Sequence, residues 1–189
     1  MPFRLVASQP LPLRQGLAAD HQRVGSSTVE LLPYAEYARS LNRKRTAAGV
    51  LIRDEGGRVL LLETSYKPEW EIPGGAAEVD EAPWTTAVRE VREELGLDLA
   101  LGRLLIIDHV PADDVMPEGL AFIWDGGTWS EAAINGAARS DPEIISARFC
   151  TADEIPTHVK PVLAGRIAAA ISAAERGVTA LCTNGELTD

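Results

Sequence analysis

The chain has 189 residues, 46% hydrophobic and 24% charged, enough to bury one core without disulfide staples and to carry an arm besides. Eighteen Lys and Arg against 28 Asp and Glu give a net charge of −10, which argues against nucleic acid as a main partner. No apolar run reaches the roughly 18 residues of a membrane span. The start has no signal-peptide pattern, and Cys150 and Cys182 read as reduced thiols, so the expectation is a cytoplasmic protein with no membrane contact.

Charge is uneven: residues 1–45 hold seven Lys and Arg against three Asp and Glu. Residues 1–29, rich in Pro, Gln, Ser and Gly, read as an irregular arm or a short edge strand. Pro33 suits the first turn of a short helix reaching Leu41. Ala47–Ile52 and Val59–Leu62 flank Asp54-Glu55-Gly56-Gly57 and predict a β-hairpin. Pro73-Gly74-Gly75 forces a loop. A helix is predicted from about Ala82 to Leu95, with Asp80 or Glu81 near its N-cap, Pro83 in its first turn and Gly96 past its end. Leu104–Val110, Leu120–Trp124 and Ile144–Phe149 read as strands, with loops at 111–119 and 125–142. Thr151-x-x-Glu154 forms a capping box for a helical turn before Pro156. A last helix runs from about Pro161 to Arg176 and stops at Gly177, with Val162, Leu163, Ile167, Ala170, Ile171 and Ala174 on one face. The order suggests a mixed sheet with helices packed on it. The domain is placed at 41–177, after an arm at 1–40 whose role is unknown and before a short tail at 178–189. The arm's opposite charge suits either substrate choice or the pairing of two chains into a homodimer.

Glu90, Glu93 and Glu94 sit at i, i+3 and i+4, within about 100° of one helix face. Trp84, Val88, Val91 and Leu95 lie on another face and are expected to pack on the sheet. The three carboxylates have no matching row of Lys or Arg at i+4, and they repel one another. A solvated acidic face is the plain reading of such a run. Hard divalent cations would remove the repulsion, since Mg²⁺ takes oxygen ligands from a few carboxylates and from substrate phosphates. Upstream, the Gly-Gly turn lets a backbone carbonyl approach a metal or phosphate closely. Arg89 is expected on a different side of the helix, holding Glu81 rather than neutralising the cluster.

Gly75-x5-Glu81-x7-Arg89-Glu90-Val91-x-Glu93-Glu94-x-Gly96-Leu97 resembles a complete Nudix box. The resemblance extends over about 41–177, through the hairpin at 47–63, the Trp70-x-x-Pro73-Gly74-Gly75 lead-in and Asp141-Pro142-Glu143-Ile144. One departure is Asp80, where many members have Gly. The resemblance implies an α/β/α sandwich with a mixed sheet, an α+β arrangement, that hydrolyses a nucleoside diphosphate linked to another group. It implies that Glu90, Glu93 and Glu94 hold Mg²⁺ or Mn²⁺, helped by the carbonyl of Gly75. Glu93, Glu94 and Arg89 are then the catalytic candidates, with Glu81 and Glu78 orienting them from behind. The water-activating carboxylate is one of the glutamates or an acid on a later loop.

Weaker candidates surround this core. Asp141 and Glu143 enter a strand from a loop that could supply a carboxylate, against the reading of a turn and an exposed acid. Asp113, Asp114 and Glu118 form an acidic loop, either lid or solvated surface. His109 reads as a satisfied strand end. Trp129 is the one tryptophan that looks loop-borne and free to stack on a base, as Trp70 and Trp124 read as core. Arg45, with Arg39, Arg43 and Lys44, either reaches an anionic substrate or ends a helix in solvent. Pro111, 15 residues past Gly96, lies near where a proline marks ADP-ribose-cleaving members, which favours ADP-ribose or a nucleotide sugar slightly. A (d)NTP and a prenyl diphosphate stay open as substrates. A nucleotide-sensing domain without catalysis would bring a helix-turn-helix partner, for which the 12 residues after Gly177 are too few. A related isomerase fits the complete box less well than a hydrolase.

Overall fold

The computed structural model describes residues 33–137 and 141–188. The expected arm at 1–29 lies outside the described residues. Contacts divide the chain between Leu41 and Asn42 into two units. In the first, α1 (Tyr34–Ser40) forms on Pro33, whose carbonyl accepts from the Glu36 and Tyr37 N–H groups at 2.9 Å each.

The second unit is a mixed sheet with helices on both faces. β1 (Arg45–Arg53) turns through Gly57 (φ 79°) into β2 (Val59–Thr64). β3 (Gly74–Ala76) follows, then α2 (Pro83–Leu95), β4 (Leu104–Val110), β5 (Gly119–Thr128) and α3 (Glu131–Gly136). β6 (Ile144–Cys150), α4 (Ile155–His158), α5 (Pro161–Arg176), β7 (Ala180–Thr183) and β8 (Glu186–Leu187) complete it. The strand order is β6-β2-β1-β5-β4-β7-β8, with β3 paired to the first half of β1. β1–β5 and β4–β7 are parallel and the other pairs antiparallel.

Period-two alternation sends side chains to two layers. Val50, Ile52, Leu60 and Leu62 meet Ala87, Val91 and Leu95 of α2, with Ile134 of α3 beside them. Leu51, Val59 and Leu61 meet Leu163, Ile167 and Ala170 of α5 on the other face. Gly96 (φ 68°) and Gly177 (φ 66°) end α2 and α5 in the left-handed region that glycine enters at least cost.

Several expectations are corrected. Residues 178–189, read as a tail, add β7 and β8, because β7 finds an open edge on β4. Neither Asp80 nor Glu81 caps α2: Ala82 stands at the N-cap with no side-chain bond, and Glu81 is drawn to Arg89 instead. Trp84 is 61% exposed, and Ala87 takes its expected place against the sheet. The Gly-Gly loop pairs as a short strand, and α3 forms inside the expected 125–142 loop on a Ser130 cap. Among the described residues no helix is long and apolar enough to cross a membrane.

Candidate active site

Pairing Ala48 with Gly75 and Gly49 with Gly74 lays the Gly-Gly segment along β1, directly under α2. The two glycines serve different neighbours. Gly74 has φ 146°, and a Cβ on it would lie 2.2 Å from the Ala48 carbonyl oxygen. A Cβ on Gly75 would lie 2.4 Å from Glu90 Oε1, so its bare Cα is what admits the carboxylate. Loop and helix therefore close on each other through absent side chains.

The three glutamates share a face but not an environment. Glu93 is exposed, Glu90 half-buried and Glu94 buried. Glu94 Oε2 accepts the Gly74 N–H at 2.9 Å. Burial pushes its pKa up to about 8 against that bond, and the charges of Glu90, Asp141 and Glu71 add to the rise. Burial raises Glu90 as well, with Arg89 opposing.

Arg89 does more than hold Glu81. Its Nε donates to Glu81 Oε1 at 2.8 Å and its Nη2 to Oε2 at 3.0 Å. Its Nη1 lies 2.9 Å from both Glu90 Oε1 and Glu93 Oε2. The expectation that Arg89 leaves the cluster unneutralised is thus overturned: being next to Glu90 and one turn before Glu93, its long stem reaches both. Glu81 is held down to about 2, chiefly by the Arg89 guanidinium, then by the Glu78 N–H and the Thr86 hydroxyl. Glu78 contributes this backbone N–H, at 3.0 Å, while the residue itself is exposed.

An all-oxygen donor set, with two carboxylates whose ionisation burial opposes, fits a hard divalent cation. Glu90, Glu93, Glu94 and the Gly75 carbonyl are the groups that could hold it. Among the described residues no three His, Cys, Asp or Glu side chains converge into a ready cage, because Arg89 draws Glu90 and Glu93 while Gly74 draws Glu94.

The NUDIX domain family model matches residues 43–169. The chain belongs to the NUDIX family. As a Nudix hydrolase it has as relative a MutT-like protein of Streptomyces ambofaciens, 29% identical over 129 residues, 68% of this chain and 77% of that one. Diphosphoinositol polyphosphate phosphohydrolase 2 of Mus musculus is 43% identical over 70 residues, 36% of this chain and 39% of the mouse protein. A solved UDP-X diphosphatase has the same fold, with a TM-score of 0.62 at 17% identity over 80% of this chain and 75% of that one.

In this Nudix hydrolase the weaker candidates scatter. Trp129 is half-buried against the α2-side core, and its indole N–H donates to the Gly126 carbonyl at 2.8 Å. Arg45 Nε donates to the Pro117 carbonyl at 2.8 Å. Lys44 pairs with Glu118, which also accepts from Asn42 and meets His109 Nε2 at 3.3 Å. These partners, Lys44 first, hold Glu118 down to about 2, so that acid is a fastening point for its loop. Glu143 is exposed and its N–H caps Asp141 Oδ1 at 2.8 Å; of the two acids it is Asp141 whose charge reaches Glu94.

Beside the Gly-Gly segment a cavity of about 120 Å³ opens between the sheet and α5. Ala47, Gly49, Glu71, Ala121, Leu163 and Arg166 line it. The sequence reading passed over Glu71 and Arg166. A signal existed for Arg166: one arginine in the apolar run Val162–Ile171, matched by one acid, Asp108, inside the apolar strand Leu104–Val110, reads as a buried pair.

Proposed function

We propose that this Nudix hydrolase is a divalent-metal-dependent pyrophosphohydrolase cleaving a nucleoside diphosphate linked to a second group, of the ADP-ribose or nucleotide-sugar type. The reading is carried by the juxtaposition of Glu90, Glu93 and Glu94 with the Gly74–Gly75 segment. Glu90, Glu93, Glu94 and the Gly75 carbonyl would hold Mg²⁺ or Mn²⁺. When bound, the metal neutralises diphosphate charge and lowers the pKa of a coordinated water.

The chain's own groups do the positioning. Arg89 fixes Glu90 and Glu93 through one guanidinium and is anchored by Glu81 behind it. The Gly74 N–H fixes Glu94 Oε2, and among the described residues Oε1 has no hydrogen-bond partner. Without a metal, burial raises the Glu94 pKa to about 8, and a bound cation would offset that penalty by favouring the charged carboxylate. The slight preference for ADP-ribose rests on Pro111 at the end of β4, and on the better match of a bridged diphosphate than a phosphomonoester to a row of carboxylates.

The test is a panel of ADP-ribose, nucleotide sugars, dNTPs, a prenyl diphosphate, AMP and p-nitrophenyl phosphate, each with Mg²⁺, Mn²⁺ or chelator. Metal-dependent release of a nucleoside monophosphate from ADP-ribose or a nucleotide sugar is expected. Faster turnover of the monoesters, or turnover in chelator, would defeat the proposal.

A further inference from the structure

The cavity under α5 ends on a charged group that the glutamate helix does not use. Sheet register sets Ala47 of β1, Ala121 of β5 and Asp108 of β4 side by side, on the face that meets α5. Ala47 and Ala121 stop at a methyl, which leaves room above them. Asp108 is fully buried. Its Oδ2 accepts from Arg166 Nε at 2.8 Å and lies 2.6 Å from Arg166 Nη2. The Gly185 N–H adds bonds of 3.2 Å and 3.1 Å to its two oxygens.

Gly185 reaches Asp108 only because it is glycine. It sits in the turn between β7 and β8 at φ 84°, and a Cβ there would lie 2.3 Å from the Val162 carbonyl oxygen of α5. The terminal hairpin, Asp108 and Arg166 thus form a connected set of fixed groups ending at the cavity. A buried ion pair survives only when its remaining bonds are satisfied in this way.

A guanidinium has five N–H donors in a rigid fork, and Asp108 occupies two. Among the described residues Arg166 makes no other hydrogen bond. Asp108 cancels its charge, and Glu71, the other charged residue of the lining, is paired with Lys67, so the cavity offers no unpaired cation to an anion. What suits it is a neutral flat group with adjacent acceptors, lying on the small apolar floor of Ala47, Gly49 and Ala121. A nucleobase edge has that chemistry. We infer that Arg166 reads the base of the substrate, with Asp108 and Gly185 as positioning residues and the diphosphate lying toward Gly74–Gly75. This inference rests on the hydrolase reading above.

The experiment compares wild type, Arg166→Lys, Asp108→Asn and Ala121→Val on ADP-, GDP-, UDP- and CDP-glucose, and on the base-free 5-phosphoribosyl diphosphate. Arg166→Lys keeps a charge for Asp108 but loses the fork. It should raise KM for the preferred nucleotide sugar by about 5- to 100-fold, leave kcat within about twofold, and flatten the preference among bases. Turnover of the base-free diphosphate should not change. Asp108→Asn should move KM in the same direction, and Ala121→Val should do so by filling the cavity while leaving both charges of the ion pair in place.

Calorimetric binding of the four nucleoside monophosphates reads the same pocket without turnover. If wild type hydrolyses no diphosphate yet binds a monophosphate in an Arg166-dependent way, the hydrolase reading falls and the assignment of Arg166 stands. If hydrolysis is intact while base preference and monophosphate binding ignore Arg166→Lys and Ala121→Val, the assignment of Arg166 is overturned alone. Should Arg166→Lys fail to fold, Ala121→Val and the monophosphate titration decide.

Discussion

Arg89 and Glu81 form a two-pronged ion pair, Nε to Oε1 at 2.8 Å and Nη2 to Oε2 at 3.0 Å, on the inner edge of the α2 carboxylate face. That fork leaves Nη1 pointing at Glu90 and Glu93. Position in this site therefore passes from a carboxylate in the loop, through one guanidinium, to two carboxylates on the helix.

Arg89→Lys is expected to lower kcat by roughly 10- to 100-fold, because a point charge cannot serve three carboxylates in fixed geometry. Glu81→Gln should lower it in the same way, since Arg89 then loses its anchor. Both variants should bind substrate with KM changed far less than kcat. Steady-state kinetics at saturating metal, beside a thermal melt, measure this. A loss confined to KM would mean that Arg89 touches substrate instead.

pH should act on stability with opposite signs at two glutamates. Glu94 has a pKa pushed up to about 8 by burial, against an ordinary 4.5, so the folded chain binds more protons than the unfolded one between those values. Stability then falls as pH rises through that window, in total by on the order of a few kcal/mol in chelator. Glu81, held down to about 2, works the other way: its contribution is present above about 4.5 and is lost as pH falls through about 2. Urea melts in chelator from pH 5 to 8.5 should show the declining limb in wild type and a flatter one in Glu94→Gln. Equal slopes in the two proteins would rule out Glu94 as its source.

Much of the fold was legible because its signals are local. Gly96 and Gly177 ended their helices, Asp54–Gly57 turned the first hairpin, and the apolar runs Ala47–Ile52 and Val59–Leu62 supplied its strands. The glutamate face followed from helix period alone. What sequence could not supply was the joint geometry of Arg89. Its contact with Glu93 stands at the i, i+4 spacing that brings helix side chains together and was open to reading, but only the folded loop shows one guanidinium serving Glu81, Glu90 and Glu93 at once. Trp129 sits in a Gly-rich stretch, yet tertiary packing, which no local pattern encodes, lays its half-buried side chain against the core. β7 and β8 are short and weakly patterned, and their strand character comes from the open edge of β4.

The boundary between Leu41 and Asn42 makes a prediction about the arm. Asn42 and Lys44 hold Glu118, and Arg45 begins β1, so those residues belong with the sheet. A chain starting at Leu41 should keep cooperative unfolding, with its melting temperature within a few degrees of the full chain. Its substrate preference or its association state, read by kinetics and sedimentation, should change. Loss of cooperative unfolding would show that the sheet needs residues 1–40.

The glutamate cluster yields the firmest prediction. Glu→Gln keeps size and helix propensity nearly constant while removing the charge a hard cation needs. Glu93 is exposed and its partner is Arg89, so Glu93→Gln should cost no more than the ~0–1 kcal/mol of a surface pair. Glu94→Gln keeps an acceptor for the Gly74 N–H and removes a buried carboxylate that resists ionisation, so near neutral pH its stability should hold or rise. Activity should nevertheless fall by roughly 10²–10⁴ in each, as when a metal ligand or general base is lost. Mg²⁺ binding, followed by calorimetry, should weaken with it. Arg92→Gln is the control: Arg92 is exposed and paired with exposed Asp98, one position away but off the cluster. It should change neither turnover nor metal binding. Near-normal turnover of Glu93→Gln and Glu94→Gln at saturating Mg²⁺ would return the cluster to a solvated helix face, and no other carboxylate on α2 could take over its role.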